Sequence, residues 1–188
     1  MNILFVDASV SSRSRTLRLA EHLLDRLGGE TERVRLCETP FPVTDEAFLD
    51  KRAKAGSTGE FPGTGRSLAM QFAAADEIVI AAPYWDLSFP AALKQYFEQI
   101  NVIGLTFAYS EEGRPYGLCR AKRLWYVTTA GGRIISDEYG FGYVKALSEN
   151  FYGIPDIRMI KAECLDIIGA DVESILKETE TVIDESFH

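Results

Sequence analysis

The sequence predicts one α/β domain in which a doubly wound, five-stranded parallel sheet carries helices on both faces. Three observations lead there. Short apolar runs alternate with helical stripes about five times along the chain. The runs are continuous rather than alternating, as strands buried on both faces of a parallel sheet require. The 188 residues, 46% hydrophobic and 26% charged, suffice for one such core and fall short of two ordinary domains, so a single domain is read over 1–188.

The elements follow in chain order. Residues 2–8 form the first buried run. Leu17, Ala20, Leu23, Leu24 and Leu27 then share one helical face, and Gly28 and Gly29 supply the stop. Residues 31–36 read as the second strand. The stretch 38–65, with Pro40, Pro42, Pro62 and four glycines, is too long for an ordinary connection and reads as a cover, with a short helix at 45–54. Residues 69–75 lead into a third strand at 77–82. Pro90 suits a first helical turn, and Leu93, Tyr96, Phe97 and Ile100 follow on one stripe. In 106–118, Glu111-Glu112-Gly113 between aromatic residues predicts a small hairpin. A strand at 123–128, a helix at 139–151, a strand at 157–162 and a closing helix bearing Val172, Ile175, Leu176, Thr179, Val182 and Ile183 complete the pattern.

Charge and composition exclude several classes of function. Twenty-eight acids against twenty bases give a net charge of -8, which repels phosphate backbones, so neither nucleic acid nor an anionic membrane is expected as a partner. No apolar run approaches the roughly 20 residues of a membrane span. The opening residues lack a basic leader followed by a long apolar stretch, and a cytoplasmic location is expected. Cys37, Cys119 and Cys164 are widely spaced, and only His22 and His188 could join them, so neither a metal site nor a disulfide frame is indicated.

Open parallel sheets bind ligands beyond the carboxyl ends of their strands, and three loops there are chemically unusual. The first carries Ser9, Ser11, Ser12, Ser14 and Thr16 with Arg13 and Arg15, and runs straight into a helix. Hydroxyls, guanidinium groups and free helix N–H groups make a phosphate cradle, where a single serine would suffice for a plain N-cap. No GxGxxG follows this strand, so a dinucleotide fingerprint is unsupported. The second loop, Pro83-Tyr84-Trp85-Asp86-Leu87, offers aromatic walls for a flat ring, or ordinary core packing. The third, Thr129-Ala130-Gly131-Gly132, lets backbone amides approach a ligand, or is a plain turn. No Ser/His/Asp or Cys/His set is available, so an enzyme built this way leaves its chemistry to a cofactor.

From residue 83 to 132 the chain resembles the FMN-dependent NADH-azoreductases and NAD(P)H:quinone oxidoreductases of the flavodoxin-like fold. The shared parts are the aromatic loop, Leu93-Lys94-Gln95-Tyr96-Phe97, Gly104-Leu105-Thr106-Phe107-Ala108-Tyr109, and the strand ending in Gly131-Gly132. The hydroxyl loop and Ala162-Glu163 also fit. The resemblance implies that Ser9, Ser14, Arg15 and Thr16 hold the FMN phosphate. It implies that Pro83, Tyr84, Trp85, Asp86 and Leu87 line the isoalloxazine, and that Thr129, Ala130, Gly131 and Gly132 edge its pyrimidine end. It places Phe107 and Tyr109 toward a partner subunit's site, in a homodimer. NADH or NADPH would be the donor and a quinone or azo compound the acceptor. The chain departs from the family pattern at Asp86, where Asn is usual, at Cys164, where Gly is common, and at Ala130, where a larger residue is often found. Two other readings remain: a flavodoxin-type electron carrier serving protein partners, and a flavin-free module for a phosphorylated ligand.

Overall fold

Ile3, Leu4, Phe5 and Val6 are all buried in β1 (Asn2–Asp7), which therefore has no solvent face and must lie inside the sheet. The computed structural model describes residues 1–50 and 64–187. β1 pairs in parallel with β2 (Glu30–Arg35) on one side and β3 (Glu77–Ala81) on the other, Phe5 standing opposite Arg33 and Val79. Two short strands, β4 (Phe107–Tyr109) and β5 (Pro115–Gly117), pair antiparallel as the expected hairpin. β6 (Arg123–Thr129) and β7 (Asp156–Ala162) finish the main sheet, in the order β2-β1-β3-β6-β7 with every pairing parallel. The expected five-stranded parallel sheet is present.

Helices cover both faces. α1 (Arg15–Leu27) and α5 (Val172–Glu185) pack on one side, where Leu17, Leu19, Ala20, Leu23, Leu176 and Ile183 meet Phe5, Val79, Trp125 and Val127. α2 (Thr64–Ala74), α3 (Ala91–Ile100) and α4 (Phe141–Leu147) take the other side against Leu4, Val6, Ile80 and Tyr126. Caps set the ends as the sequence predicts. The Ser14 hydroxyl accepts the Leu17 N–H at 3.3 Å, and Gly28, at φ 61°, returns its N–H to the Leu24 carbonyl. On α3 the stripe of Leu93, Tyr96, Phe97 and Ile100 is wholly buried.

Two expectations shift. The short helix expected at 45–54 is helical over 46–50, with Asp45 Oδ1 accepting the Phe48 N–H at 2.8 Å; 51–63 of the covering stretch lie outside the described residues. The helix expected over 139–151 begins at Phe141, after Gly140, and opens into a π turn at Ser148–Tyr152. Ser148 Oγ donates back to the Val144 carbonyl at 2.8 Å, a bond that competes with the helical ladder. Close packing also bears on this turn: a Cβ on Gly117 would stand 2.1 Å from the Gly153 nitrogen, so the hairpin lies directly on the turn's end.

Candidate functional site

Successive strands leave β1 in opposite directions, to β2 on one side and to β3 on the other, and a crevice opens where their loops diverge. A cleft of about 310 Å³ occupies it, walled by the loops after β1, β3, β6 and β7. Ser14, Arg15, Thr16, Pro83, Tyr84, Trp85, Thr129 and Gly131 all line it, so residues far apart in sequence meet there. Ser9, Asp86, Leu87, Ala130 and Gly132 sit in the same loops but not on its wall. A larger cleft of about 490 Å³ lies between β1, β2 and α2, lined by Asn2, Glu30, Glu32 and Gln71 among others; it presents acids and amides with no basic or aromatic side chain.

The hydroxyl loop is held from beneath. Asp7, fully buried at the end of β1, accepts the Ser9 N–H at 2.9 Å and is neutralised by Arg33 Nη2 at 2.6 Å, with Arg35 Nε at 3.7 Å. Burying that carboxylate unpaired would cost several kcal/mol, so the strand-to-strand ion pair is what lets Asp7 order the loop. Ser9 is itself buried, yet its Oγ has no hydrogen-bond partner among the described residues. The N–H groups of Arg15 and Thr16 open α1 and have no intrahelical acceptor, and no acid stands in that first turn. An unpartnered hydroxyl in a loop that leads into free amides at the positive end of a helix suits an anionic phosphate. Ser14 serves as N-cap, and Thr16 Oγ1 lies 2.6 Å from Thr129 Oγ1, joining the first and third loops.

The aromatic loop is a tight two-residue hairpin. Trp85 and Ser88 exchange both backbone hydrogen bonds, at 3.1 and 2.7 Å, around Asp86 (φ 49°) and Leu87 (φ 68°). Asp tolerates that left-handed backbone, whereas for Leu it is strained by about 1–2 kcal/mol. Trp85 and Leu87 remain about half exposed at the mouth of the cleft. Ser88 Oγ donates to the Tyr139 carbonyl, fastening the hairpin to the stretch before α4. Behind it, burial pushes the Tyr126 phenol up. The hydroxyls of Tyr84, Tyr126 and Thr128 all lack partners among the described residues. Of these, Tyr84 lines the cleft.

In the third loop Cys164 donates its N–H to the Gly132 carbonyl at 2.9 Å from a left-handed backbone (φ 65°) that glycine adopts freely. Its two fellow cysteines are free as well; Cys119 is partly buried, which pushes its thiol up to about 12, and Cys37 is exposed. His22 pairs with Asp184 between α1 and α5, away from the cleft. Among the described residues no His, Cys, Asp or Glu group is arranged to hold a metal ion, and no helix is long and apolar enough to cross a membrane.

Two placements revise the sequence reading. Phe107, expected to reach toward a partner subunit, is buried in its own chain: it stacks on Phe151 at 4.5 Å and 2°, because the hairpin rests on the π turn. Tyr109 stands beside it edge-on at 5.5 Å and is half exposed. The cleft also includes Asp166, which no motif marked; only the close approach of the β7–α5 connection to Gly131 brings it there.

The model of a family described as having the flavodoxin-like fold matches residues 1–186. The chain belongs to that flavodoxin-like family. It is 36% identical over 185 residues to an FMN-dependent NADH:quinone oxidoreductase of Lachnoclostridium phytofermentans, covering 94% of this chain and 92% of that relative. It is 47% identical over 116 residues to FMN-dependent NADH:quinone oxidoreductase 2 of Clostridium acetobutylicum, a match spanning 59% of this chain and just over half (57%) of that relative. The structure of an FMN-dependent NADH-azoreductase from Bacillus anthracis in complex with FMN superposes with a TM-score of 0.80 at 24% identity, over 100% of this chain and 99% of that one, and so shares the flavodoxin-like fold.

Proposed function

We propose that the chain is an FMN-dependent oxidoreductase that takes electrons from NADH or NADPH and delivers them to a quinone or azo compound, the bound flavin accepting the hydride and supplying the two-electron chemistry that no side chain here provides. The observation that carries this reading is the Ser9 hydroxyl, buried without a partner in the loop that runs from β1 into α1, whose first-turn amides have no intrahelical acceptor. Phosphate belongs at that point, held by Ser9, Ser14 and the N–H groups of Arg15 and Thr16. Tyr84 and Trp85 wall the space for a planar ring, and the Gly131–Gly132 backbone supplies amides along one edge.

The protein's own contribution is alignment and charge. The Asp7–Arg33 pair fixes the hydroxyl loop, and the Trp85–Ser88 turn fixes the aromatic wall. Rigid walls hold two flat partners in register, and fixed dipoles meet charge as it develops. About half of Trp85, Leu87, Tyr109, Tyr116 and Tyr139 stays exposed. Rings and a leucine left half exposed in such number suit burial by a second copy, so the active form is a homodimer whose partner closes each site. The same need for a closed pocket favours an enzyme over a flavodoxin-type carrier, which presents an open flavin edge to protein partners.

The deciding experiment is titration of apoprotein with FMN, followed by NADH oxidation with a quinone as acceptor. Stoichiometric binding with steady quinone-dependent turnover is expected. Binding without turnover would favour the carrier, and a colourless protein that never takes up flavin would favour a module for another phosphorylated ligand.

A further inference from the structure

The cleft contains one acid among its lining residues, Asp166, and it is engaged with a cation that the phosphate would also attract. Arg15 Nη1 donates to Asp166 Oδ1 at 2.9 Å and to the Leu165 carbonyl at 3.0 Å. The turn bearing Asp166 is stitched to the third loop, with Leu165 N–H to the Ala130 carbonyl at 3.1 Å and Asp166 N–H to the Gly131 carbonyl at 2.9 Å. The carboxylate rests on the bare Cα of Gly131, where an added Cβ would fall 2.2 Å from Asp166 Oδ2. Asp166 is thus held at the wall by its backbone, and not only by Arg15. Arg13, the other cation on that wall, makes no ion pair among the described residues.

We propose that Asp166 is a built-in competitor of the flavin phosphate for Arg15, and that it sets how tightly the cleft grips a phosphorylated flavin relative to an unphosphorylated one. The inference rests on the FMN reading above. A dianionic phosphate at the start of α1 either draws Arg15 away from Asp166 or shares it. In both cases a carboxylate fixed on Gly131 repels the phosphate across a few ångströms, while a neutral ribityl chain does not feel it. Asp166 therefore acts on affinity through charge, as a specificity-determining residue outside the redox chemistry.

The test is fluorescence titration of apoprotein with FMN and with riboflavin, for the wild type, Asp166→Asn, Arg15→Gln and the double variant, at low and high salt. The Asp166 side chain is two-thirds exposed, so its replacement leaves the core intact. Asp166→Asn should tighten FMN about three- to tenfold at low salt, less at high salt, and leave riboflavin within about twofold. Arg15→Gln should weaken FMN, and Asp166→Asn should recover part of that loss in the double variant, since a carboxylate left without its cation repels the phosphate more strongly. Equal changes for both flavins, or an unchanged FMN affinity, would overturn the proposal and make the ion pair a plain fastening of the wall. Wild-type apoprotein that binds neither flavin would overturn the FMN reading itself, and this inference with it.

Discussion

The hydroxyl of Thr16, in the first turn of α1, lies 2.6 Å from the hydroxyl of Thr129, the last residue of β6, and both side chains are buried. This one bond joins the loop after the first strand to the loop after the fourth strand of the sheet, and so sets the width of the cleft between them. Replacing Thr16 by Val keeps the shape and leaves the Thr129 hydroxyl without a partner. That should cost about 1–3 kcal/mol, a fall of roughly 2–4 °C in Tm for each kcal/mol. Thr16→Val with Thr129→Val should recover most of the loss, because no orphan remains. Calorimetry on the three variants measures it; a double variant as unstable as the sum of the singles would show that the bond is not what couples them.

Ser14 offers a clean way to put charge against the phosphate. Its hydroxyl caps α1, and Asp is as good an N-cap, so Ser14→Asp should keep or slightly raise Tm. Yet it adds a negative charge where the phosphate is proposed to sit, and FMN affinity should drop at least tenfold, about 1.4 kcal/mol. Thermal melts alongside FMN titration separate the effects. Unchanged FMN binding would move the phosphate away from this helix.

Asp86 stands in the left-handed turn at the mouth of the proposed flavin site, and Asn fits that backbone equally well. Asp86→Asn therefore removes a charge without reshaping the turn. A unit charge about 6 Å away at an effective dielectric near 20 would act with roughly 3 kcal/mol, but Asp86 is exposed and screening reduces this to about 1 kcal/mol or less. Reduced flavin gains negative charge, so the substitution should raise its two-electron potential by up to about 20 mV. Spectroelectrochemistry is the measurement, and coinciding potentials in fully loaded proteins would show that Asp86 does not sense the ring.

A homodimer makes a simple demand on the hairpin. Tyr109 and Tyr116 are each about half exposed, on neighbouring strands. Tyr109→Asp with Tyr116→Asp should shift the protein from dimer to monomer at micromolar concentration and weaken flavin binding with it. Light scattering across a dilution series reports the mass. A flavin-loaded wild type that remains monomeric throughout would remove the partner from the site.

The pH response can be read at the far end of the sheet, away from the cleft. Asp156 accepts from Arg158 Nε at 3.0 Å and from Arg123 Nε at 2.6 Å, and the Arg158 bond first, then Arg123, holds its carboxyl below the usual range against the opposing cost of burial. A carboxylate with a lowered folded pKa adds stability in full above its unfolded pKa of about 3.9, and loses it as pH falls through the folded value. Asp156→Asn should thus be less stable at pH 7 by about 1 kcal/mol or less, given the partial exposure of the pair. The two stabilities should converge below about pH 3. Denaturant melts at both pH values check it; a gap that persists in acid would assign the loss to packing instead.

Features governed by local chemistry and burial are legible along the chain. Residues 2–7 have no polar alternation, so the strand had to be central; Ser14 and Gly28 bracket α1 because a cap and a left-handed stop are local devices. The loops that meet at the cleft were legible too, since strand ends in a parallel sheet all point the same way. Which side chains meet within those loops is not legible there, and follows from packing across the whole fold. Arg15, expected at the phosphate, is held by Asp166, 151 residues away. Phe107, expected to reach toward a partner subunit, is stacked on Phe151, because a π turn that no periodicity announces brings that ring beneath the hairpin. Thr16 and Thr129 carry no mark of partnership in either loop, and find each other only when α1 settles on the sheet beside β6. Burial periodicity is written along the chain, but a pairing between distant polar groups depends on how packed elements are placed to within an ångström, and that is settled by the core as a whole.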